Sequence, residues 1–184
     1  LTDTFLPNLY AFASDGHPSY MGSNKGLAKL LNDSTSNNLF IQHCMSHKLQ
    51  LAASHSFMNV DSVKDKIDDI VTTIFTFYSN KSFKRKQSLI KTAEQLGNSF
   101  YAMSRLYSTR WAAAHFQAFM SLYKNYAAIL LNMDEISKSK DFAQDVQSKA
   151  QGLRKIMIDG KFFTTFIFIV DVLHVLKSYS LKFQ

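Results

Sequence analysis

The sequence predicts a short α/β segment at the start of the chain and a mostly helical remainder. Two short apolar runs near the start have the length and flanking turn residues of β-strands. From Cys44 onward, apolar residues recur every three or four positions, as on one face of a helix. Only two prolines and six glycines occur among 184 residues, which favours long helices over many tight turns. We therefore expect an α/β domain part over residues 1–42 and an all-α domain over residues 43–184.

The first segment has the pattern of a β–α–β unit. A strand is predicted at Leu9–Ala13, because this run is apolar and is followed by Ser14-Asp15-Gly16. A helix is expected over Met21–Leu31, and a second strand over Leu39–Gln42. Two strands joined through a helix suggest a parallel or mixed sheet, with Asp15 at the exit of its first strand.

The remainder predicts five or six amphipathic helices with short links. No fixed repeat is visible, so these helices are expected to form a bundle and not a solenoid. Asp61 is expected to cap the second helix and Ser108 or Thr109 the longest one, while Gly97 is a weak point in the third. The expected helices cover Met45–Phe57, Val63–Phe77, Leu89–Met103, Ala112–Met133, Ala143–Met157 and a last stretch from Lys161.

Charge and composition bound the possible partners and compartments. A net charge of +7 is compatible with a polyanionic partner, although a solvated basic face explains it equally well. The single cysteine excludes an internal disulfide and suits the cytosol or nucleus. The most apolar run, Phe162–Leu176, is short for a bilayer span and contains Asp171 and His174, so it is interpreted as a buried helix and no membrane is expected.

Three motifs in this order resemble those of the hAT family of DNA transposases and their domesticated, zinc-finger-bearing relatives. They are Ser14-Asp15-Gly16 followed by Met21-Gly22, then Cys44-Met45-Ser46-His47, then Thr109-Arg110-Trp111. The resemblance runs along nearly the whole chain and implies an interior piece of a longer nuclear protein that binds DNA and can form homo-oligomers. Residues 1–42 would be part of an RNase H-like domain, and residues 43–184 the helical insertion that interrupts it.

The sequence allows two interpretations of Asp15. An Asp-Gly pair after a strand is usually a turn, because both residues tolerate the dihedral angles of turns. The resemblance instead implies that Asp15 is the second of three catalytic acids, which together bind Mg²⁺ or Mn²⁺ for strand cleavage and transfer. The other two acids would lie before Leu1 and after Gln184. A lone carboxylate does not hold two metals, so the fragment itself is expected to be inactive. The alternative function is an inactive nuclear scaffold for protein partners.

Cys44 and His47 share one helical face and allow several roles. Half a zinc site has this spacing, but no second pair of ligands follows it in the sequence. A Cys–His nucleophile pair is a further alternative. The resemblance implies a place close to the active site, and a half-buried pair at a domain junction is an equally good structural interpretation.

Two further groups of residues are candidates for DNA contact. Arg110-Trp111 precedes the longest predicted helix; the tryptophan either anchors the core or, as the resemblance implies, stacks on an unpaired base. A basic cluster is the second group, and it bears either phosphate contacts or only a solvated surface. The cluster consists of Lys81, Lys84, Arg85 and Lys86.

Overall fold

The computed structural model describes residues 5–35, 39–58, 67–79, 82–106 and 111–182, with only the backbone at 57–58 and 111–112. The chain is mostly helical with a small two-stranded parallel sheet, which confirms this coarse part of the predicted fold class. It divides into two compact units, Leu1–Ala52 with Ser180–Gln184 and Ala53–Tyr179. This division falls between Ala52 and Ala53, inside a helix, and the domain boundary at residues 42 and 43 stays a prediction.

The first unit is the β–α–β segment. Its two strands run parallel with Ala11 opposite Phe40 and Ser14 opposite His43, and they are joined through helices. Both strands begin one or two residues later than predicted, because the ladder hydrogen bonds and not the apolar runs define them. The described elements are a 3₁₀ turn at Leu6–Asn8, β1 Ala11–Ser14, α1 Pro18–Met21, α2 Leu27–Ser34, β2 Phe40–His43 and α3 Met45–Met58.

The prediction of one helix over Met21–Leu31 was wrong, since α2 begins only at Leu27. Two glycines between α1 and α2 bring the backbone together. A Cβ at Gly26 would lie 2.4 Å from the Gly22 nitrogen, and one at Gly22 would lie 2.5 Å from the Pro18 oxygen. The chain therefore turns back on itself here, where the leucine spacing alone suggested a continuous helix.

The sheet of the first unit is thinly covered. Tyr10 and Phe40 are both 64% exposed, and Ile41 is 41% exposed. Parallel sheets are usually buried on both faces, so this pair of strands lacks the cover that such sheets have in complete domains. In this unit the described buried apolar side chains are only Ala28 and Leu39.

The second unit is an α-helical bundle with an apolar core, as the spacing predicted. Helices α4 to α9 supply the core, which includes the fully buried Ile74, Leu89, Phe119, Met133 and Phe166. The predicted Ala143–Met157 helix and the start of the last helix near Lys161 are confirmed. The bounds are α4 Asp69–Phe77, α5 Phe83–Gln95, α6 Trp111–Lys124, α7 Tyr126–Lys138, α8 Gln144–Met157 and α9 Gly160–Lys182.

One predicted helix, over Leu89–Met103, ends earlier than its apolar spacing indicated. Helix α5 stops at Gln95 because Gly97 takes a left-handed φ of 70° and the Asn98 amide returns to the Ala93 carbonyl at 2.9 Å. Phe100 and Met103 still pack on the core, but from an irregular segment. The predicted capping residues Asp61, Ser108 and Thr109 lie outside the described residues.

The predicted single helix Ala112–Met133 is two helices, α6 and α7, with a break at Asn125. The side-chain nitrogen of the buried Asn125 donates to the Ser121 carbonyl at 2.7 Å and to the Tyr101 carbonyl at 2.8 Å. Its side-chain oxygen accepts the Tyr101 amide at 3.1 Å. The hydrogen bonds of Asn125 with Tyr101 thus hold the irregular segment that follows α5 against the bundle. Tyr123, near the end of α6, is 48% exposed.

Helix α9 buries one face, as predicted for its apolar run. Phe162, Phe166, Ile169, Val170 and Leu173 belong to the core. The helix has 23 residues and is long and apolar enough to cross a membrane by length and composition, a test that the core helix of a soluble protein also passes. An opposite stripe is exposed, with Phe168 at 63%, Val175 at 53% and Tyr179 at 52%.

Candidate functional site

Asp15 lies directly after β1, at the carboxyl end of the parallel pair. Its exposed carboxylate accepts a hydrogen bond from the His17 backbone amide at 3.1 Å, and the Ser14 hydroxyl donates to its carbonyl at 2.9 Å. This is the local turn that Asp-Gly pairs favour. The position at the strand exit is the predicted one, and the catalytic and metal-binding role of Asp15 stays a prediction.

His43 is the last residue of β2, and it packs on the turn after β1. A Cβ on Gly16 would lie 2.7 Å from the Cε1 atom of His43, so a side chain at this position would require the His43 ring to shift. The Nε2 atom of His43 is buried and has no hydrogen-bond partner in the described part of the chain. The sequence motifs did not make His43 a candidate site residue. Its opposition to Ser14 depends on strand register, which no local motif reveals.

Cys44 joins β2 to α3. Its backbone amide donates to the Ser14 carbonyl at 2.8 Å, and its carbonyl accepts the Lys48 amide at 3.0 Å, which starts the helix. The side chain is a half-buried free thiol. His47 is also half-buried, and its ring lies 5.4 Å from the His43 ring, centroid to centroid. The ring contact described for His47 is thus with His43.

The donor set around Asp15 does not fit the predicted metal centre. Within the described ranges, no three His, Cys, Asp or Glu side chains come together as metal ligands. One oxygen of Asp15 is already used by the turn. The described residues thus do not make a two-metal site. Binding of Mg²⁺ or Mn²⁺ in a complete parent stays a prediction.

The predicted Arg-Trp pair is described only in part. Arg110 lies outside the described residues, and Trp111 is the first residue of α6, with its side chain outside the description. The choice between core anchor and base stacking therefore stays open, as the sequence left it.

The basic cluster is described at three of its four residues, since Lys81 lies outside the description. The Lys84 ammonium donates to the Asp141 carbonyl at 2.5 Å and lies 4.8 Å from the Phe142 ring centroid. The Arg85 Nε donates to the Phe77 carbonyl at 2.6 Å, and Lys86 is half-buried. These contacts hold two cations in place while leaving their charge at the surface of α5. Their predicted contact with DNA stays a prediction.

A buried polar network in the bundle was not anticipated from the sequence. Asn132, which is fully buried, accepts from the Tyr78 hydroxyl at 3.1 Å and donates to the Ser88 and Thr92 hydroxyls at 2.7 and 2.9 Å. Thr92 also contacts the Glu135 carboxylate at 2.8 Å. Burial raises the pKa of the Tyr78 hydroxyl well above its usual value. The only signal in the sequence was an asparagine at an apolar helical position.

A second polar pair, formed by a buried histidine and a half-buried aspartate, links α6 to the residues before α4. The Nε2 of His115, 6% exposed, lies 3.0 Å from the Asp68 carboxylate. His115 also stacks on Phe119 at 6.1 Å between centroids. Both the pair and the Asn132 network join separate segments of the helical unit.

Comparison with known proteins adds no assignment. No protein-family model matches the chain, and no solved structure matches it. The resemblance to hAT transposases therefore rests on the sequence motifs alone.

Proposed function

We propose that this chain is the central part of a hAT-transposase-like protein and that it binds DNA. In this proposal the two-stranded sheet belongs to an RNase H-like domain, and the helical unit is its insertion. The observation that carries the proposal is the placement of Asp15 and Cys44, each directly after one of two neighbouring parallel strands. Strand exits of α/β sheets are where such domains gather their functional side chains.

The exposed sheet supports a larger domain around the first unit. Tyr10 and Phe40 expose aromatic side chains that further strands or helices would cover in a complete domain. Cleavage and transfer of DNA strands would need the remaining acids of a complete parent, to which Asp15 would add one carboxylate. The location in this proposal is the nucleus, and a homo-oligomer is a further expected partner.

The electrostatics of the chain support DNA as the partner. The net charge is +7, and helix α5 carries Lys84, Arg85, Lys86 and Lys91 against one carboxylate, Glu94. Cations that meet phosphates release counterions, so affinity depends steeply on salt. Arg110-Trp111 and Lys81 are the other proposed contacts.

The test is fluorescence anisotropy of labelled duplex and hairpin DNA over a series of salt concentrations. We expect binding at low salt, with log affinity falling linearly against log salt. Replacement of one phosphate-binding lysine, Lys84→Gln, should reduce the slope by about 0.9. Lys138→Gln is the matched control, because the Lys138 ammonium is already paired with Asp134 at 2.6 Å. No binding at low salt, or binding without a salt slope, would count decisively against DNA binding.

A protein-interaction scaffold is the second candidate function. The exposed stripe of α9, formed by Phe168, Val175 and Tyr179, favours it, because apolar stripes at helical spacing commonly bind a partner helix. Sedimentation of the whole chain tests the homo-oligomer form of this function. Self-association that Phe168→Ser weakens, in a chain that fails to bind DNA, would favour the scaffold over the transposase-like function.

A further inference from the structure

Phe83, the first residue of α5, is the most exposed large apolar side chain in the described residues, at 73%. Exposing an aromatic ring of this size forgoes the favourable free energy of burying it. Single exposed apolar residues are ordinary on protein surfaces, so exposure alone does not indicate a binding role for Phe83. What distinguishes Phe83 is the chemistry of its neighbours.

The exposed face around Phe83 is cationic and polar. Phe83, Gln87 and Lys91 lie four residues apart, so they share one face of α5, and all three are exposed. The next residue after the ring is Lys84, also exposed, and Lys86 lies one turn along the helix. The first turn of α5 contains no acidic residue. From Phe83 to Lys91 the face is about 12 Å long.

Helix α5 carries no acidic residue between Phe83 and Lys91. Glu135 contacts Thr92, which is buried on the side of α5 that faces the core, about half a helical turn from the direction of Phe83. Glu94 lies on the same face as Phe83 but beyond Lys91, about 16 Å along the helix axis from Phe83. The Lys84 ammonium donates to the Asp141 carbonyl, so less of its side-chain freedom remains to be lost on binding.

We propose that Phe83 is a stacking platform for an unpaired base of single-stranded DNA, with Lys84 and Lys91 contacting the flanking phosphates. A flat apolar ring set among cations is complementary to a base flanked by phosphates, and stacking on aromatic rings is how proteins hold bases without reading their sequence. Duplex DNA keeps its bases stacked inside the helix, so it meets only the cations. The inference rests on the proposed DNA-binding function and adds the form of DNA that this face takes.

The test compares two probes on the whole chain: a labelled oligothymidylate of about 16 nucleotides and a labelled duplex of equal length. Phe83→Ala should weaken binding of the single strand about 5- to 150-fold and leave duplex affinity within about twofold. Phe83→Tyr retains an aromatic face and should restore single-strand binding. Phe5→Ala is the matched control, because Phe5 is 57% exposed and has no lysine or arginine within four positions of the sequence. It should change neither affinity.

The outcomes separate this inference from the proposed function. If wild-type protein binds duplex with a salt slope but Phe83→Ala binds the single strand as wild type does, the stacking role is refuted and DNA binding stands. Equal losses for both probes would also refute stacking, since they would indicate only a general loss of charge complementarity or of folding. Circular dichroism and unfolding midpoints of each variant identify a folding loss. Failure of wild-type protein to bind either probe at low salt would overturn both proposals.

Discussion

Asn132→Ala perturbs the buried polar network of the helical unit. The side chain is fully buried and makes hydrogen bonds with Tyr78, Ser88 and Thr92, and its amide lies 3.3 Å from Glu135. The hydroxyl of Tyr78, a residue only 3% exposed, then loses the acceptor that satisfies it. Alanine also removes atoms from a packed site between α5 and α7.

The expected loss follows from these contacts. One buried donor left unsatisfied costs about 1–3 kcal/mol, and the space left by the deleted side chain adds to it. We expect Asn132→Ala to lower the free energy of unfolding by about 2–4 kcal/mol, and Tyr78→Phe to lower it by about 1 kcal/mol. If Tyr78 and Asn132 interact as the 3.1 Å distance indicates, the double variant should cost less than the sum of both, with a coupling of about 0.5–2 kcal/mol.

Urea unfolding followed by circular dichroism measures these values for the wild type, both single variants and the double variant. Gln151→Ala, at an exposed position of α8, is the control and should stay within about 0.5 kcal/mol of wild type. Additive single effects, or a loss below about 0.5 kcal/mol for Asn132→Ala, would refute the network.

Three further variants probe other parts of the chain. Gly26→Ala should lower unfolding free energy by about 1–3 kcal/mol because its Cβ would meet Gly22 backbone at 2.4 Å, whereas Gly152→Ala, with nothing within 4 Å, should be neutral or stabilising; equal effects in urea unfolding would contradict this contact. Burial raises the pKa of Tyr126 from 10.0 to about 12, and its neutral hydroxyl donates to the Met157 carbonyl. The stability from this neutral hydroxyl is therefore present below pH 10 and is lost as the pH rises through 12. Tyr126→Phe should flatten this alkaline decline in the unfolding midpoint, and an unchanged decline would exclude Tyr126 as its source. In a complete parent, Asp15→Asn should abolish metal-dependent DNA cleavage while Asp33→Asn, whose carboxylate binds Lys29 at 2.7 Å, should not; cleavage by Asp15→Asn would remove Asp15 from the site.

Local pattern predicted much of the fold. Apolar spacing of three and four predicted α3 and α8 close to their bounds and the start of α9. The reason is that the residues on the buried face of a helix recur with the helical period. The two strands were predicted from short apolar runs bounded by turn residues. The helical connection between them predicted a parallel or mixed sheet, and the two strands pair in parallel.

The same spacing failed where the backbone departs from a helix. Leucines at helical spacing did not reveal the Gly22–Gly26 contact, and apolar residues beyond Gln95 pack on the core from a segment that is not helical. The break at Asn125 depends on hydrogen bonds to Tyr101, a residue distant in sequence. Apolar periodicity indicates which residues face the core, but residues of an irregular segment can face the core as well.

For the candidate site, sequence motifs predicted that Asp15 and Cys44 follow strands, but they did not predict the packing of His43 on Gly16 or the exposure of Phe83. The sequence by itself determined the order and type of most elements, the basic charge and the acid at a strand exit, since these depend on neighbouring residues. Tertiary structure alone decided which side chains are covered, where helices break and which cations are held in place. The reason is that burial and hydrogen bonding depend on residues far apart in the chain, brought together only by folding.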